Sequence, residues 1–200
     1  MKNRILEKFP LTRIESYNCF CIYVADFTKR TKSARGVEVS STMPKCPVKP
    51  ENDMDVLYID NKSGLSVVFA TFNDNSFKDA DGNDESHTEG AFFIDNEQET
   101  FFALYEIKDC RPSRIGNYRK DIKEKVKLSA AVVRDNNIVD GNKKIHALVS
   151  FPRQKMRFNN YLYGIDPIEM TELRKKDKII FCCSNSFKIA NSSNLVAFYE

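Results

Sequence analysis

Residues 88–108 read TEGAFFIDNEQETFFALYEIK and decide the fold, because they predict two strands joined by a polar turn. Residues 91–95 and 101–108 are rich in aromatic and aliphatic side chains, which is typical of strands. The polar residues 96–99 separate them and form a loop of suitable length for a hairpin. We therefore expect an antiparallel hairpin whose second strand ends in Glu-Ile-Lys.

The charged end of the second strand is unusual for an apolar strand. Side chains alternate between the two faces of a strand, so Glu106 and Lys108 share a face with Phe102 and Leu104. Charges that continue an apolar face cost free energy unless partners compensate them. With the turn at the middle of the loop, Glu106 faces Glu89 on the first strand.

The expected hairpin brings two carboxylates into opposition, and such a pair repels unless a cation lies between them. We therefore expect Glu89 and Glu106 to ligate a divalent metal, with Lys108 next to a reacting phosphate. Asp95 lies beside the turn, roughly 20 Å from Glu106 at ~3.3 Å per residue, and is a poorer candidate ligand. His87 faces Lys108 and is either a third ligand or proton carrier, or an ordinary surface histidine.

The chain after the hairpin predicts a parallel crossover. Residues 118–134 carry a stripe of small or apolar residues at helical spacing, formed by Ile122, Val126, Ser129, Ala130 and Val133. Residues 145–151 are typical of a short buried strand. A strand, a helix and a second strand imply parallel pairing of strand 101–108 with strand 145–151. The expected fold class is α/β or α+β, with a mixed β-sheet and extra N- and C-terminal strands.

The remaining segments predict further elements around this core. We expect a short helix over residues 1–9 and a loop over 28–53. A second helix is expected over residues 167–176, with Asp166 as its N-cap and Glu169 completing a capping box. Further strands are expected over residues 17–27, 56–60, 65–72, 179–184 and 195–199. The 200 residues suit a single domain, with a core of about residues 56–151, an N-terminal extension (1–55) and a C-terminal segment (152–200).

The sequence Glu89-Gly90-Ala91-Phe92, the hairpin, and Glu106-Ile107-Lys108 resemble the PD-(D/E)xK nuclease superfamily. The resemblance covers roughly residues 56–151 and implies a restriction-endonuclease-like core. It also implies a metal-dependent phosphodiesterase that acts on nucleic acid, usually DNA. By that analogy Glu89, Glu106 and the backbone carbonyl of Ile107 bind Mg²⁺ or Mn²⁺, and Lys108 positions or activates the attacking water.

The chain departs from the family's pattern at the first acid, which is usually Asp after Pro and here is Glu89 after Thr88. The family's extra acid has no clear counterpart, although Glu51, Asp53 and Asp55 are candidates. One alternative is therefore an inactive nuclease-like fold that binds nucleic acid or protein within a larger complex. Two others are a strand that leaves the core and pairs with surface charges, and an unrelated α+β interaction protein with the two acids far apart.

Charge is unevenly distributed along the chain. Residues 51–107 hold 14 acidic and 2 basic side chains, whereas residues 108–178 hold 9 acidic and 18 basic side chains. An acidic cluster beside basic regions suits a polyanion held near cations, or else reflects ordinary solvated surface. The expected nucleic-acid contacts follow the hairpin: Arg111, Arg114, Arg119 and Lys120. The basic and aromatic residues of 153–163 are a further candidate, or an ordinary basic loop.

Composition limits the cellular setting. No apolar run approaches the ~18–20 residues of a membrane span, and residues 1–13 lack the apolar h-region of a secretory signal, so we expect neither. The six cysteines lack zinc-site spacing and are expected to be reduced thiols. We therefore expect a cytoplasmic protein that acts as a homo-oligomer or with a partner subunit. The family resemblance implies DNA as its partner and a role in restriction, repair or defence.

Overall fold

The computed structural model describes residues 1–28, 36–45, 55–73, 76–79, 81–94, 101–153, 166–191 and 194–197. Within these ranges the strands form two mixed sheets. The central sheet has the order β1-β5-β6-β7-β8-β9, with β1 (Arg13–Tyr17), β5 (Val67–Thr71), β6 (Gly90–Ile94), β7 (Phe102–Ile107), β8 (Ile145–Ser150) and β9 (Ile179–Cys183). The second sheet has the order β11-β10-β4-β2-β3, with β2 (Cys21–Asp26), β3 (Val37–Ser40), β4 (Leu57–Asp60), β10 (Ser186–Asn191) and β11 (Asn194–Ala197).

The described elements form three layers. Three α-helices cover one face of the central sheet: α1 (Lys2–Lys8), α2 (Arg119–Asp135) and α3 (Pro167–Lys175), with a 3₁₀ helix (Pro112–Tyr118) leading into α2. The second sheet covers the other face. Alternation along β7 assigns its side chains to the two interfaces: Leu104 lies on the helix side, whereas Ala103 and Tyr105 face the second sheet.

The predicted crossover is confirmed. Strands β7 and β8 pair in parallel, with Glu106 opposite Val149, and α2 connects them. The buried residues of α2 are those of the predicted stripe: Ile122, Val126, Ser129, Ala130 and Val133. The mixed α+β class is therefore confirmed, and strands from the N- and C-terminal segments extend both sheets.

The predicted strand over residues 17–27 is confirmed only in part, because β2 lies within this range but the chain changes sheets between Tyr17 and Cys21. β1 ends at Tyr17 and pairs with β5 of the central sheet, whereas β2 begins at Cys21 and pairs with β3 and β4. The fully buried Asn61 stabilises this transition, since its side-chain amide donates to the carbonyls of Cys19 (3.0 Å) and Leu65 (2.8 Å). The same turn sends β4 and β5 into different sheets.

Two other differences concern short elements. β3 lies within the predicted loop over residues 28–53, and β10 was not predicted. In α3, Asp166 accepts a hydrogen bond from the backbone N–H of Ile168 at 2.9 Å, which confirms the predicted N-cap. The carboxylate of Glu169, expected in a capping box, contacts Nζ of Lys123 at 2.8 Å and thereby links α3 to α2.

None of the helices in the described ranges is both long and apolar enough to cross a membrane. The five cysteines of those ranges are free thiols, and burial raises the pKa of Cys182 to about 11. Cys46 lies outside the described residues.

Candidate functional site

The hairpin has the predicted register. Gly90 pairs with Tyr105 and Phe93 with Phe102, so Glu106 is level with Glu89. Residues 89, 91 and 93 share the helix-side face of the sheet with residues 102, 104 and 106. The two acids therefore project into the same layer, beneath α2.

A single amine joins the two carboxylates. Nζ of Lys108 lies 2.7 Å from Oε1 of Glu89 and 3.0 Å from Oε1 of Glu106. The side chain of Glu106 is 0% exposed, whereas that of Glu89 retains 24% and that of Lys108 retains 17%. The buried carboxylate of Glu106 therefore lies behind the carboxylate of Glu89 and the amine of Lys108, which both remain partly accessible to solvent.

Local packing at Gly90 fixes the backbone that carries Glu89. A Cβ atom at this position would collide with the carbonyl of Ala70 and with the Tyr105 hydroxyl. That hydroxyl contacts Oγ1 of Thr71 at 3.0 Å inside the protein. Glycine therefore allows β5, β6 and β7 to approach closely at the end of β6 where Glu89 begins.

Thr88 stands where the nuclease resemblance implies Pro, and its hydrogen bonds give a physical reason for the difference. Its backbone N–H donates to Oγ of Ser129 on α2 at 3.0 Å, and its own hydroxyl contacts the same oxygen at 3.2 Å. Both residues are fully buried. Proline has no N–H and would lose the first of these bonds. The Thr88–Ser129 contact thus docks α2 beside Glu89.

Lys125 is the site residue that sequence reasoning missed. Its Nζ lies 3.3 Å from Oε1 of Glu106 and 3.9 Å from Oδ2 of Asp121, and its side chain is only 16% exposed. One sequence signal was present: Lys125 lies four residues before Ser129, so it shares the buried side of α2. Without the docking of α2 on β7, that signal does not identify Glu106 as its partner.

The backbone completes the environment of Glu106. Its Oε2 accepts a hydrogen bond from the N–H of Glu89 at 3.2 Å, while Oε1 receives the two lysines. Both oxygens of this buried carboxylate are therefore satisfied, as burial of a charge requires. Two carboxylates and two ammonium groups make the cluster formally neutral.

The pKa values of Glu89 and Lys108 are both raised. Burial, reinforced by the charge on Glu106 and opposed by Lys108, raises the pKa of Glu89 above its ordinary value. Burial by itself would lower the pKa of Lys108, but the charges of Glu106 and Glu89 outweigh it and raise that pKa. Lys108 is therefore protonated at neutral pH, and the negative charge on Glu89 is held at a cost that a nearby cation would reduce.

The donor set fits a hard divalent cation. Mg²⁺ is typically held by one or two carboxylates, with water and substrate phosphate oxygens in the remaining positions. Glu89 and Glu106 supply two carboxylates close enough to contact one amine group. Within the described part of the chain, no group of three or more His, Cys, Asp or Glu side chains is arranged to hold a metal.

The other predicted site residues lie elsewhere or are less informative. The side chain of Ile107 is fully buried between the two sheets, so only its backbone is available to the site. The ring of His87 stacks on Phe77 at 4.7 Å, and its Nδ1 lies 2.7 Å from the carbonyl of Thr88. Asp95, Glu51 and Asp53 fall outside the described residues. The exposed Asp55 lies two residues before the start of β4, a strand of the second sheet.

The four predicted phosphate-binding residues lie around the 3₁₀ helix that connects β7 to α2. The side chains of Arg111, Arg114 and Lys120 are exposed, whereas Arg119 is half-buried. Their position places positive charge next to the chain segment that leaves Lys108. Of the basic run over residues 153–163, only Arg153 is described, and its Nε lies 3.6 Å from Oδ1 of the buried Asp109.

Comparisons with family models, with curated proteins and with solved structures found no match to this chain.

Proposed function

We propose that this protein is a Mg²⁺- or Mn²⁺-dependent nuclease of the PD-(D/E)xK type, with a restriction-endonuclease-like core, that hydrolyses phosphodiester bonds of DNA. The observation that carries the proposal is the contact of one amine, that of Lys108, with both Glu89 and Glu106 on the same face of a hairpin. The parallel crossover that follows the hairpin supports it, because the family resemblance implies the same order of elements.

Each residue of the cluster has a separate role in this proposal. Glu89 and Glu106 would hold the metal, with help from the carbonyl of Ile107. The ion would stabilise charge on the phosphoryl oxygens and lower the pKa of a bound water. Lys108 positions the attacking water or contacts the phosphate, and its raised pKa keeps it cationic for electrostatic work at neutral pH.

Lys125 acts as a positioning residue. It approaches Glu106 from α2, so the carboxylate keeps a cationic partner when Lys108 moves toward a phosphate. The basic residues after the hairpin would bind the DNA backbone. The same proposal includes a cytoplasmic location and action as a homo-oligomer or with a partner subunit. It also includes a role in restriction, repair or defence, which rests on the family resemblance.

Cleavage assays test the catalytic assignment. Duplex and single-stranded DNA are incubated with the wild type, Glu106→Ala and Lys108→Ala in Mg²⁺, in Mn²⁺ and in EDTA. Cleavage is expected only with the metals and only by the wild type, with a loss of at least ~100-fold in each variant. Lys188→Ala, an exposed cation on β10 away from both the site and α2, serves as a matched control that should retain cleavage. Wild-type rates in both site variants would overturn the assigned roles.

A second candidate function is a nuclease-like subunit that binds DNA or protein without cleaving it. The observation that favours it is charge balance: two lysines already contact Glu89 and Glu106, and among the described residues no third acid lies with them in a group that could hold a metal. It predicts DNA binding with no cleavage in either metal, and no rise of the melting temperature when metal is added. Cleavage by the wild type would exclude this candidate, whereas DNA binding without cleavage would favour it.

A further inference from the structure

A basic cleft lies at the edge of the central sheet, away from the candidate site. It has a volume of about 610 Å³ and lies between α3 and the edge strand β9. Its walls carry four cationic side chains: Lys144, Arg174, Lys175 and Lys178. Its floor includes Met170, Ile180 and Phe181, so it combines positive charge with apolar surface.

The positive charges come from three separate parts of the chain. Arg174 and Lys175 lie in the last turn of α3, where cations are favoured by the helix dipole and need no ligand to explain them. Lys144 precedes β8, and Lys178 precedes β9 with a φ of 52°. The dipole of α3 does not account for these two, so folding concentrates cations in the cleft beyond what one helix end requires.

The four cations lack acidic partners within the ranges that the structure describes. No carboxylate there lies within 4 Å of their amine or guanidinium groups, in contrast to neighbouring Lys176, which pairs with Glu172 at 3.1 Å. Like charges held together without counter-charges repel one another. An anion in the cleft would relieve that repulsion.

From this geometry we infer that the cleft binds phosphate groups of a DNA backbone. The inference depends on the proposed function for the choice of DNA as the polymer, but it does not require the chain to cleave DNA. Guanidinium and ammonium groups are the usual partners of backbone phosphates. The apolar floor offers contact to the sugars between successive phosphates.

The cleft and the candidate site are separated by less than the length of a short duplex. Strands β7, β8 and β9 are neighbours, so the cleft lies about 10 Å across the sheet from Glu106. Glu106 pairs with Val149 on β8, and Val149 pairs with Cys183 on β9. Ile179, which lines the cleft, precedes Cys183 by about 13 Å along β9. The combined separation of about 16 Å corresponds to about five base pairs of B-DNA at 3.4 Å each.

Duplex binding in EDTA tests the inference without cleavage. The probe is a fluorescent 20-base-pair duplex, and affinity is measured by anisotropy at several salt concentrations. The cleft variant combines Lys144→Gln, Arg174→Gln and Lys178→Gln. The control variant combines Lys2→Gln, Lys8→Gln and Lys188→Gln, three exposed cations on α1 and β10, so both variants lose the same net charge.

The cleft variant should lose at least about tenfold in affinity at 0.1 M salt, and its salt slope should fall by about 0.9 for each phosphate contact removed. The control variant should stay within about twofold of the wild type, since it loses charge but no phosphate contact. Melting temperatures of all three proteins show whether each is folded, and Lys144→Gln alone, which alters only one exposed side chain, replaces the triple variant if that variant unfolds.

Two outcomes would overturn the inference. Equal losses in the cleft and control variants would mean that only net charge attracts DNA. Unchanged duplex affinity in the cleft variant would mean that the cleft does not bind the DNA backbone. Because no metal is present, absence of nuclease activity in the separate assay would leave the binding result interpretable, and the two proposals can fail independently.

Discussion

Two charged regions of the central sheet differ in burial and in charge balance. At the end of β7, Glu89, Glu106, Lys108 and Lys125 form a neutral cluster beneath α2, with Glu106 0% exposed. At the edge strand β9, the basic cleft is open and carries cations without described acidic partners. The charges of the first region are packed between β7 and α2, whereas those of the second line an open cleft.

Mutations in the two regions should therefore have different effects on stability. A buried charge stabilises the fold only while its partners remain, so altering the β7 cluster should change stability and function together. An exposed cation contributes little to stability, so altering the cleft should change only ligand binding. Measurements of unfolding free energy can therefore distinguish the two regions before any ligand is known.

The largest effect is expected for Glu106→Ala. Removing this carboxylate leaves Lys108 and Lys125 partly buried near each other, so unfolding free energy should fall by about 3 kcal/mol. Urea denaturation monitored by circular dichroism measures the change. The matched control is Arg174→Ala in the cleft, for which a loss below about 0.5 kcal/mol is expected. Equal losses in the two variants would remove the contrast between the regions.

Gly90→Ala should have the next largest effect. The added methyl group collides with the Ala70 carbonyl and the Tyr105 hydroxyl, and such overpacking costs about 2 kcal/mol. Gly141→Ala is the control, because nothing lies within 4 Å of a Cβ atom there. Thermal and urea denaturation of both variants provide the comparison, and a stable Gly90→Ala protein would show that β5 and β7 are not so closely apposed.

Ser129→Ala should weaken the docking of α2 over the site. The buried N–H and hydroxyl of Thr88 would lose their partner, at a cost of about 1–2 kcal/mol. Ser113→Ala, on the exposed part of the 3₁₀ helix, is the control. Hydrogen exchange should show faster exchange at the Thr88 amide in Ser129→Ala, and unchanged exchange at that amide would contradict the proposed contact.

The smallest effect is a pH dependence at Glu89. Its pKa is raised in the folded state, so its contribution to stability is fully present below the ordinary value of 4.5 and is lost as pH rises through the folded pKa. Relative to the wild type, Glu89→Gln should therefore become more stable as pH rises from 4.5 to 7. Unfolding free energies across that window check the sign, and a relative stability that falls with pH would contradict it.

Local patterns in the sequence were sufficient to predict much of the β7 region. The hairpin register followed from the position of the polar turn, and the buried stripe of α2 followed from helical spacing. Together they placed Glu89, Glu106 and Lys108 on one face. These features depend on residues near each other in the chain, or on one short connection, and therefore leave a periodic signal.

Features that depend on distant parts of the chain were not predicted. The contact of Lys125 with Glu106 requires the docking angle of α2, and the basic cleft requires α3, β8 and β9 together. The division of β4 and β5 between two sheets depends on the hydrogen bonds of Asn61, which is an ordinary turn residue in sequence. No periodicity encodes such long-range packing.

Binding of Mn²⁺ tests the central claim, that Glu89 and Glu106 form a site for one divalent cation. Free Mn²⁺ is followed by electron paramagnetic resonance in titrations of the wild type, Glu106→Gln, Glu89→Gln and the control Asp81→Asn, which alters an exposed carboxylate before β6. One bound Mn²⁺ ion is expected in the wild type and in Asp81→Asn, with at least tenfold weaker Mn²⁺ binding in both glutamine variants. Equal affinity in all four proteins, or its loss only in Asp81→Asn, would contradict it.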